Sequence, residues 1–178
     1  GYACHSEVVC VPENLVVKLP DVVGFEAAAF TTLGAIALQG IRLTEAKLGE
    51  SVAIVGLGLL GLLALQMLKA AGCIVVGMDI QAERAEQALR LGIDSVATEG
   101  DEFESACMQY SSGYGVDSVL ITAATQSNQP VEVAGEIARK KGIIVAVGAI
   151  GMDLPRKIYY QKELDFRIST SYGPGRYD

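Results

Sequence analysis

Val52-Ala53-Ile54-Val55-Gly56-Leu57-Gly58-Leu59-Leu60-Gly61-Leu62-Leu63-Ala64-Leu65 is the stretch on which the fold turns. It carries no polar side chain, so hydropathy alone would suggest a membrane span. A spanning helix needs about 20 such residues, and here Gln66 and Lys69 interrupt the run. The run also changes character midway. Residues 52–55 are alanine and β-branched, three glycines follow, and residues 59–68 are rich in helix formers. That order predicts a buried strand turning directly into a buried helix.

Working outward, the chain keeps the same rhythm. After the helix at 59–71 come a strand at 74–78, a helix at 82–91 and a short strand at 95–97. A helix at 101–110, a strand at 116–121, a helix at 131–140 and a strand at 143–147 repeat the pattern, and the charged segment 157–163 leads to a last strand near 166–171. Upstream, 6–19 reads as two short strands about a Pro12-Glu13-Asn14 turn, 25–41 as an alanine-rich helix and 44–51 as a polar connection. Strands alternating with helices of this length predict right-handed crossovers and a parallel sheet covered on both faces. On the helix from Ala82, the expected inward stripe is Ala82, Ala85 and Leu89, with Glu83, Arg84, Glu86 and Arg90 facing water.

Gly56, Gly58 and Gly61 form a G-x-G-x-x-G pattern that follows an apolar strand, opens a helix and precedes a second strand ending in Asp79. Gly56 permits the tight turn, Gly58 lets backbone approach a pyrophosphate, and Gly61 lets the helix pack closely on the strand. The first amides and the positive dipole end of the helix then meet the phosphate charge. A carboxylate at Asp79 suits the two adenosine ribose hydroxyls and repels a 2′-phosphate, which predicts NAD(H) over NADP(H). The expected cofactor-binding set is Gly56, Leu57, Gly58, Leu59, Leu60 and Gly61, with Asp79, Ile80 and Arg84 at the second strand. Arg84 complicates the choice, because it could cover the adenine or neutralise a phosphate. The bland alternative is that Asp79 only caps the helix from Ala82. The whole pattern predicts an α/β Rossmann fold: a doubly wound six-stranded parallel sheet of order 3-2-1-4-5-6 with helices on both faces.

Composition bounds the function. At roughly 150 residues per domain, 178 residues hold one domain and a modest extension. Lys+Arg 14 against Asp+Glu 21 gives a net charge of −7, which argues against nucleic-acid or anionic-membrane binding. The sequence is 51% hydrophobic, enough for a large core. Cys4, Cys10, Cys73 and Cys107 are irregularly spaced, so no disulfide framework is indicated and a cytoplasmic setting is expected. Cys4, His5 and Cys10 offer only three metal ligands where a tetrahedral site needs four, so no metal is expected in this chain. The first residues lack a signal-peptide pattern and read as a cut through a longer protein.

In these motifs the chain resembles the cofactor-binding domain of the medium-chain dehydrogenase/reductase family, the zinc-type alcohol dehydrogenase-like proteins. The resemblance rests on the segment from Val11 to Asp21, on Phe25-Glu26-Ala27-Ala28 and the helix that follows, and on the glycine loop. It continues through Leu91-Gly92-Ile93-Asp94, Gly113-Tyr114-Gly115-Val116-Asp117 and Lys141-Gly142 to Val147-Gly148. It implies that residues 1–22 are a remnant of a preceding GroES-like catalytic domain and that 23–178 form the dinucleotide-binding domain. It further implies that Thr122 and Ala123 lie near the adenosine or nicotinamide ribose, and that Val147, Gly148 and Ala149 present backbone to the nicotinamide carboxamide. The implied reaction is hydride transfer between nicotinamide and an alcohol, carbonyl or sugar-type substrate, with a homodimer formed through the last strand. The tail from Ile168 to Asp178 is similar to a bacterial subgroup fused to a Gfo/Idh/MocA-type oxidoreductase portion.

One position departs from the family. Thr31 stands where members often place a zinc-ligating Cys, Asp or Glu, and most catalytic-domain ligands lie outside this chain. Zinc therefore belongs, if anywhere, to the absent catalytic domain, and this fragment is expected to bind cofactor without turnover. A non-catalytic NAD-sensing module needs the same motif and stays open beside the enzyme. Class I methyltransferases also use a glycine loop, but they usually place an acidic residue just before or within it, and residues 52–58 have none.

Overall fold

A computed structural model describes residues 5–176. A short helix α1 (Phe25–Ala28) and a longer one, α2 (Thr31–Thr44), lead into the sheet. The alternation then runs β1 (Ser51–Val55), α3 (Leu59–Ala70), β2 (Ile74–Met78), α4 (Ala82–Arg90), β3 (Ser95–Ala97), α5 (Gly100–Tyr110), β4 (Val116–Ile121), α6 (Gln129–Ile137), β5 (Ala138–Ala146), α7 (Arg156–Lys162) and β6 (Asp165–Ile168). All strand pairs are parallel, and the sheet order is β3-β2-β1-β4-β5-β6. This is the doubly wound arrangement expected from the sequence.

The apolar run at 52–65 thus divides into a strand and a helix. All five residues of β1 are buried because both sheet faces are covered. Side chains alternate across the strand: Val52 and Ile54 join Leu65 and Leu68 of α3 in one core layer, while Ala53 and Val55 join Phe103 of α5 and Val131 and Ile137 of α6 in the other. The strands finish level at their C-terminal ends, with Val55 opposite both Met78 and Ile121, and Ile121 opposite Ala146.

Several local expectations are corrected. Residues 6–19 form no strands; a 3-10 turn at Glu13–Leu15 is their one regular element. Extended backbone without a neighbour to complete its ladder has no reason to be a strand. The helix expected at 25–41 breaks at Ala29 and Phe30 and then continues to Thr44, three residues past the expected end. Residues 156–162 are helical rather than a plain charged connection. On α4 the buried residues are Ala85 and Ala88, whereas Ala82 is exposed and Leu89 is 57% exposed. The inward face is a narrow alanine stripe that lets the helix sit close to the sheet.

The helix expected at 131–140 ends at Ile137, and Ala138 is already extended. Lys162 explains this stop, because its Nζ donates to the carbonyls of Gly135, Glu136 and Ala138 and so caps the helix end. Arg139 is thereby freed to pair with Asp117 across the sheet.

Candidate functional site

The loop between β1 and α3 is shaped by glycine. Gly56 has φ +98°, and a methyl there would lie 2.6 Å from the Ala123 amide nitrogen. At Gly61 a methyl would collide with the Gly56 carbonyl oxygen, so α3 can begin hard against the end of β1 only because this residue lacks a side chain. Gly58 is the N-cap of α3 and has no side chain to satisfy its first amides. A Cβ on Gly58 would meet nothing within 4 Å, and the residue lines a cavity.

Asp79 follows β2 and is buried, its side chain 5% exposed. Its Oδ2 accepts the Leu57 N–H at 2.8 Å, and Oδ1 accepts the Gln81 N–H at 3.0 Å. The second bond fixes the turn before α4, but the N-cap of α4 is Gln81 and no side chain caps that helix, so Asp79 does not serve as its cap; the first bond ties it to the glycine loop. Arg84 Nη1 lies 3.4 Å from Oδ2, on a side chain 45% exposed. A carboxylate has about four acceptor sites, so three donors leave room for a further one. At the end of β4, the Thr122 hydroxyl donates to the Gly56 carbonyl. The Thr122 and Ala123 amides both donate to the Val55 carbonyl, at 2.9 and 3.0 Å.

These pieces surround a cavity of about 510 Å³ at the C-terminal ends of β1, β2 and β4. That is the place where a doubly wound sheet reverses its strand order and takes ligands. Of the residues singled out from sequence, Gly56, Gly58, Asp79, Ile80, Arg84, Thr122 and Ala123 line it. Leu57 instead lies wholly in the core, Leu60 packs on the same layer, Leu59 is 50% exposed, and Gly61 is buried in α3.

Val147, Gly148 and Ala149 are not on the cavity wall. The Val147 and Gly148 amides donate to the Ile121 carbonyl at 2.9 and 3.0 Å, and the Ala149 carbonyl accepts the Thr125 amide at 2.9 Å. Sequence reading missed Gln129, Pro130 and Val133, which bring the first turn of α6 over the cavity. The available signal was Pro130, a helix-start residue nine residues after the end of β4. Among the described residues no group of three His, Cys, Asp or Glu side chains could hold a metal. His5 and Cys10 are exposed, Thr31 is exposed at the start of α2, and Cys4 lies outside the described residues. No helix among the described residues is long and apolar enough to cross a membrane.

A glycine-lined turn, an acid at the end of the second strand and a cavity at the strand-order reversal define a Rossmann-type α/β domain. Comparison with known proteins narrows the class. The zinc-binding dehydrogenase family profile matches residues 60–178, and the chain belongs to that family. An alcohol dehydrogenase of Geobacillus stearothermophilus is 34% identical over 160 residues, covering 89% of this chain and 46% of its own length. The structure of galactitol-1-phosphate dehydrogenase from Escherichia coli superposes with a TM-score of 0.78 at 26% identity, over 90% of this chain and 48% of that one. A Sinorhizobium meliloti chain solved with NADP bound gives a TM-score of 0.69 at 27% identity, over 79% of this chain and 43% of that one. The chain spans about half the length of the curated relatives it matches.

Proposed function

We propose that this chain is the nicotinamide-dinucleotide-binding half of an oxidoreductase, with NAD(H) preferred over NADP(H). The carrying observation is the buried Asp79 carboxylate in a cavity of about 510 Å³ beside a loop whose cavity-lining residues, Gly56 and Gly58, have no side chains. The fit to a dinucleotide is good on both counts. Gly58 leaves open space where a Cβ would stand, and the uncapped start of α3 offers amides to a pyrophosphate without any lysine. Asp79 retains acceptor capacity for a ribose hydroxyl, and a 2′-phosphate beside it would meet like charge.

In the whole protein, the bound nicotinamide would supply hydride chemistry for an alcohol or carbonyl substrate. The residues of this chain bind and orient the cofactor. Gly56 and Gly58 admit the phosphates, Ile80 and Arg84 flank the adenosine side, and Thr122 and Ala123 border the nicotinamide ribose. Val147, Gly148 and Ala149, which follow β5 and lie off the cavity wall, are assigned to the nicotinamide side on the strength of the family resemblance. The galactitol-1-phosphate dehydrogenase likeness supports a sugar-type substrate. Residues 1–22 belong to a preceding catalytic domain in this reading, and any zinc belongs to that domain. The protein works in the cytoplasm, and the exposed edge of β6, where Ile168 is 60% exposed, pairs with a second copy. A light-scattering mass near 18.7 kDa would contradict that pairing.

The cofactor choice is tested by fluorescence titration of the chain with NADH and NADPH. Saturable NADH binding, tighter than NADPH by at least ten-fold, is expected. Tighter NADPH binding would overturn the preference, and no binding of either would overturn the reading.

A further inference from the structure

The Gly56–Leu57 peptide is held at both ends by side chains from the strands flanking β1. Its N–H donates to Asp79 Oδ2 at 2.8 Å from the β2 side. Its C=O accepts the Thr122 hydroxyl from the β4 side. The peptide needs such holding, because Gly56 sits at φ +98° and glycine moves easily between neighbouring turn conformations. Turning the peptide over would set a carbonyl oxygen against the Asp79 carboxylate, at the edge of the cavity where a phosphate would lie. It would also remove the Gly56 carbonyl from its place against Gly61 and Thr122 Oγ1, the latter 2.9 Å from where a Gly61 Cβ would stand.

Asp79 favours the observed orientation by accepting a proton, and Thr122 favours it by donating one. The two latches are chemically complementary, so neither can do the other's task. Thr122 also has a firm base: its own amide is bonded to the Val55 carbonyl at 2.9 Å, and its hydroxyl lies 3.4 Å from the same oxygen.

We propose that Thr122 is a positioning residue for the cofactor's pyrophosphate. Its hydroxyl locks the Gly56–Leu57 peptide so that the loop presents amides, and no carbonyl, to the phosphates. The inference rests on the dinucleotide reading above and adds a role to a residue placed there only beside a ribose.

The test compares NADH with adenosine, which has the base and ribose but no phosphate, as ligands of the 178-residue chain. Thr122→Val keeps the shape and removes the hydroxyl, and Thr122→Ser keeps the hydroxyl. Thr122→Val is expected to weaken NADH roughly ten-fold, the worth of about one hydrogen bond, while adenosine affinity stays within about two-fold. Thr122→Ser should restore NADH binding to within about two-fold. Should the valine variant fail to fold, Thr122→Ala carries the same comparison. Unchanged NADH affinity in the variant, or an equal loss for NADH and adenosine, would overturn the positioning role alone. Absence of dinucleotide binding by the unmodified chain would overturn both this role and the reading on which it rests.

Discussion

The two ends of β1 use the same device for different purposes. At the start of the strand, Asp117 Oδ2 accepts the Ser51 N–H at 2.8 Å and the Ser51 hydroxyl at 2.9 Å, and Arg139 Nε closes the group at 2.8 Å from Oδ1. Just past the end, Asp79 accepts the Leu57 N–H at the same 2.8 Å, but its arginine stands off at 3.4 Å and a cavity opens beside it. Asp94 follows the first pattern, taking the Val75 amide at 2.7 Å and Lys69 Nζ at 2.6 Å. At the N-terminal ends of β1 and β2, then, each carboxylate is closed by a cation and serves stability. At the C-terminal end one carboxylate keeps acceptor capacity, and function can use it.

The strongest way to break this contrast is at the loop itself. Gly56→Ala forces a side chain into a positive-φ position against Ala123, and a stability loss of about 3 kcal/mol is expected. Denaturant unfolding should show that loss, and NADH binding should vanish with it. Asp79→Ala and Asp117→Ala form the sharper pair. Loss of Asp79 should weaken NADH about 10- to 100-fold, the worth of charge-assisted hydrogen bonds. Loss of Asp117 should lower stability by about 1–3 kcal/mol and leave NADH affinity within about two-fold. If both variants lose affinity equally, the two ends are not functionally distinct.

A pH series refines the stability end. Burial pushes the Asp117 carboxyl up, but the hydrogen bonds from the Ser51 amide, Arg139 and the Ser51 hydroxyl outweigh it, and the group titrates below its ordinary value. Its folded value is depressed, so its stabilisation is fully present above the unfolded value of about 3.9 and is lost as pH falls through the lower folded value. Asp117→Asn should therefore be less stable than the natural sequence at neutral pH, with the gap closing below about pH 4. The smallest effect belongs to neither end. Glu86 and Arg90 on α4 are 66% and 75% exposed, so Glu86→Ala should change stability by at most about 0.5 kcal/mol and affinity not at all.

How much was legible beforehand follows the same division. Strands 74–78, 95–97 and 116–121 were readable to the residue, because each is a short stretch containing β-branched residues that begins just after a glycine, cysteine or aspartate. The loop and Asp79 were readable because their spacing is local. What escaped depends on contacts distant in sequence. Lys162 ends α6 early from 24 residues away, and no property of 131–140 announces it. The Leu57–Asp79 bond and the Thr122 latch span 22 and 66 residues, and nothing in either segment alone reveals them. Residues 6–19 misled for the opposite reason: they are strand-like in composition, but no strand among the described residues pairs with them.

The most direct test of the account maps NADH binding onto the two ends of the sheet by amide chemical shifts of the uniformly labelled chain. Saturable shifts are expected at Gly56, Gly58, Leu59, Leu60, Gly61, Ile80 and Ala123, with Ser51, Val75 and Val116 at the opposite end unmoved. Shifts centred on Ser51 and Val116, or none at any NADH concentration, would contradict it.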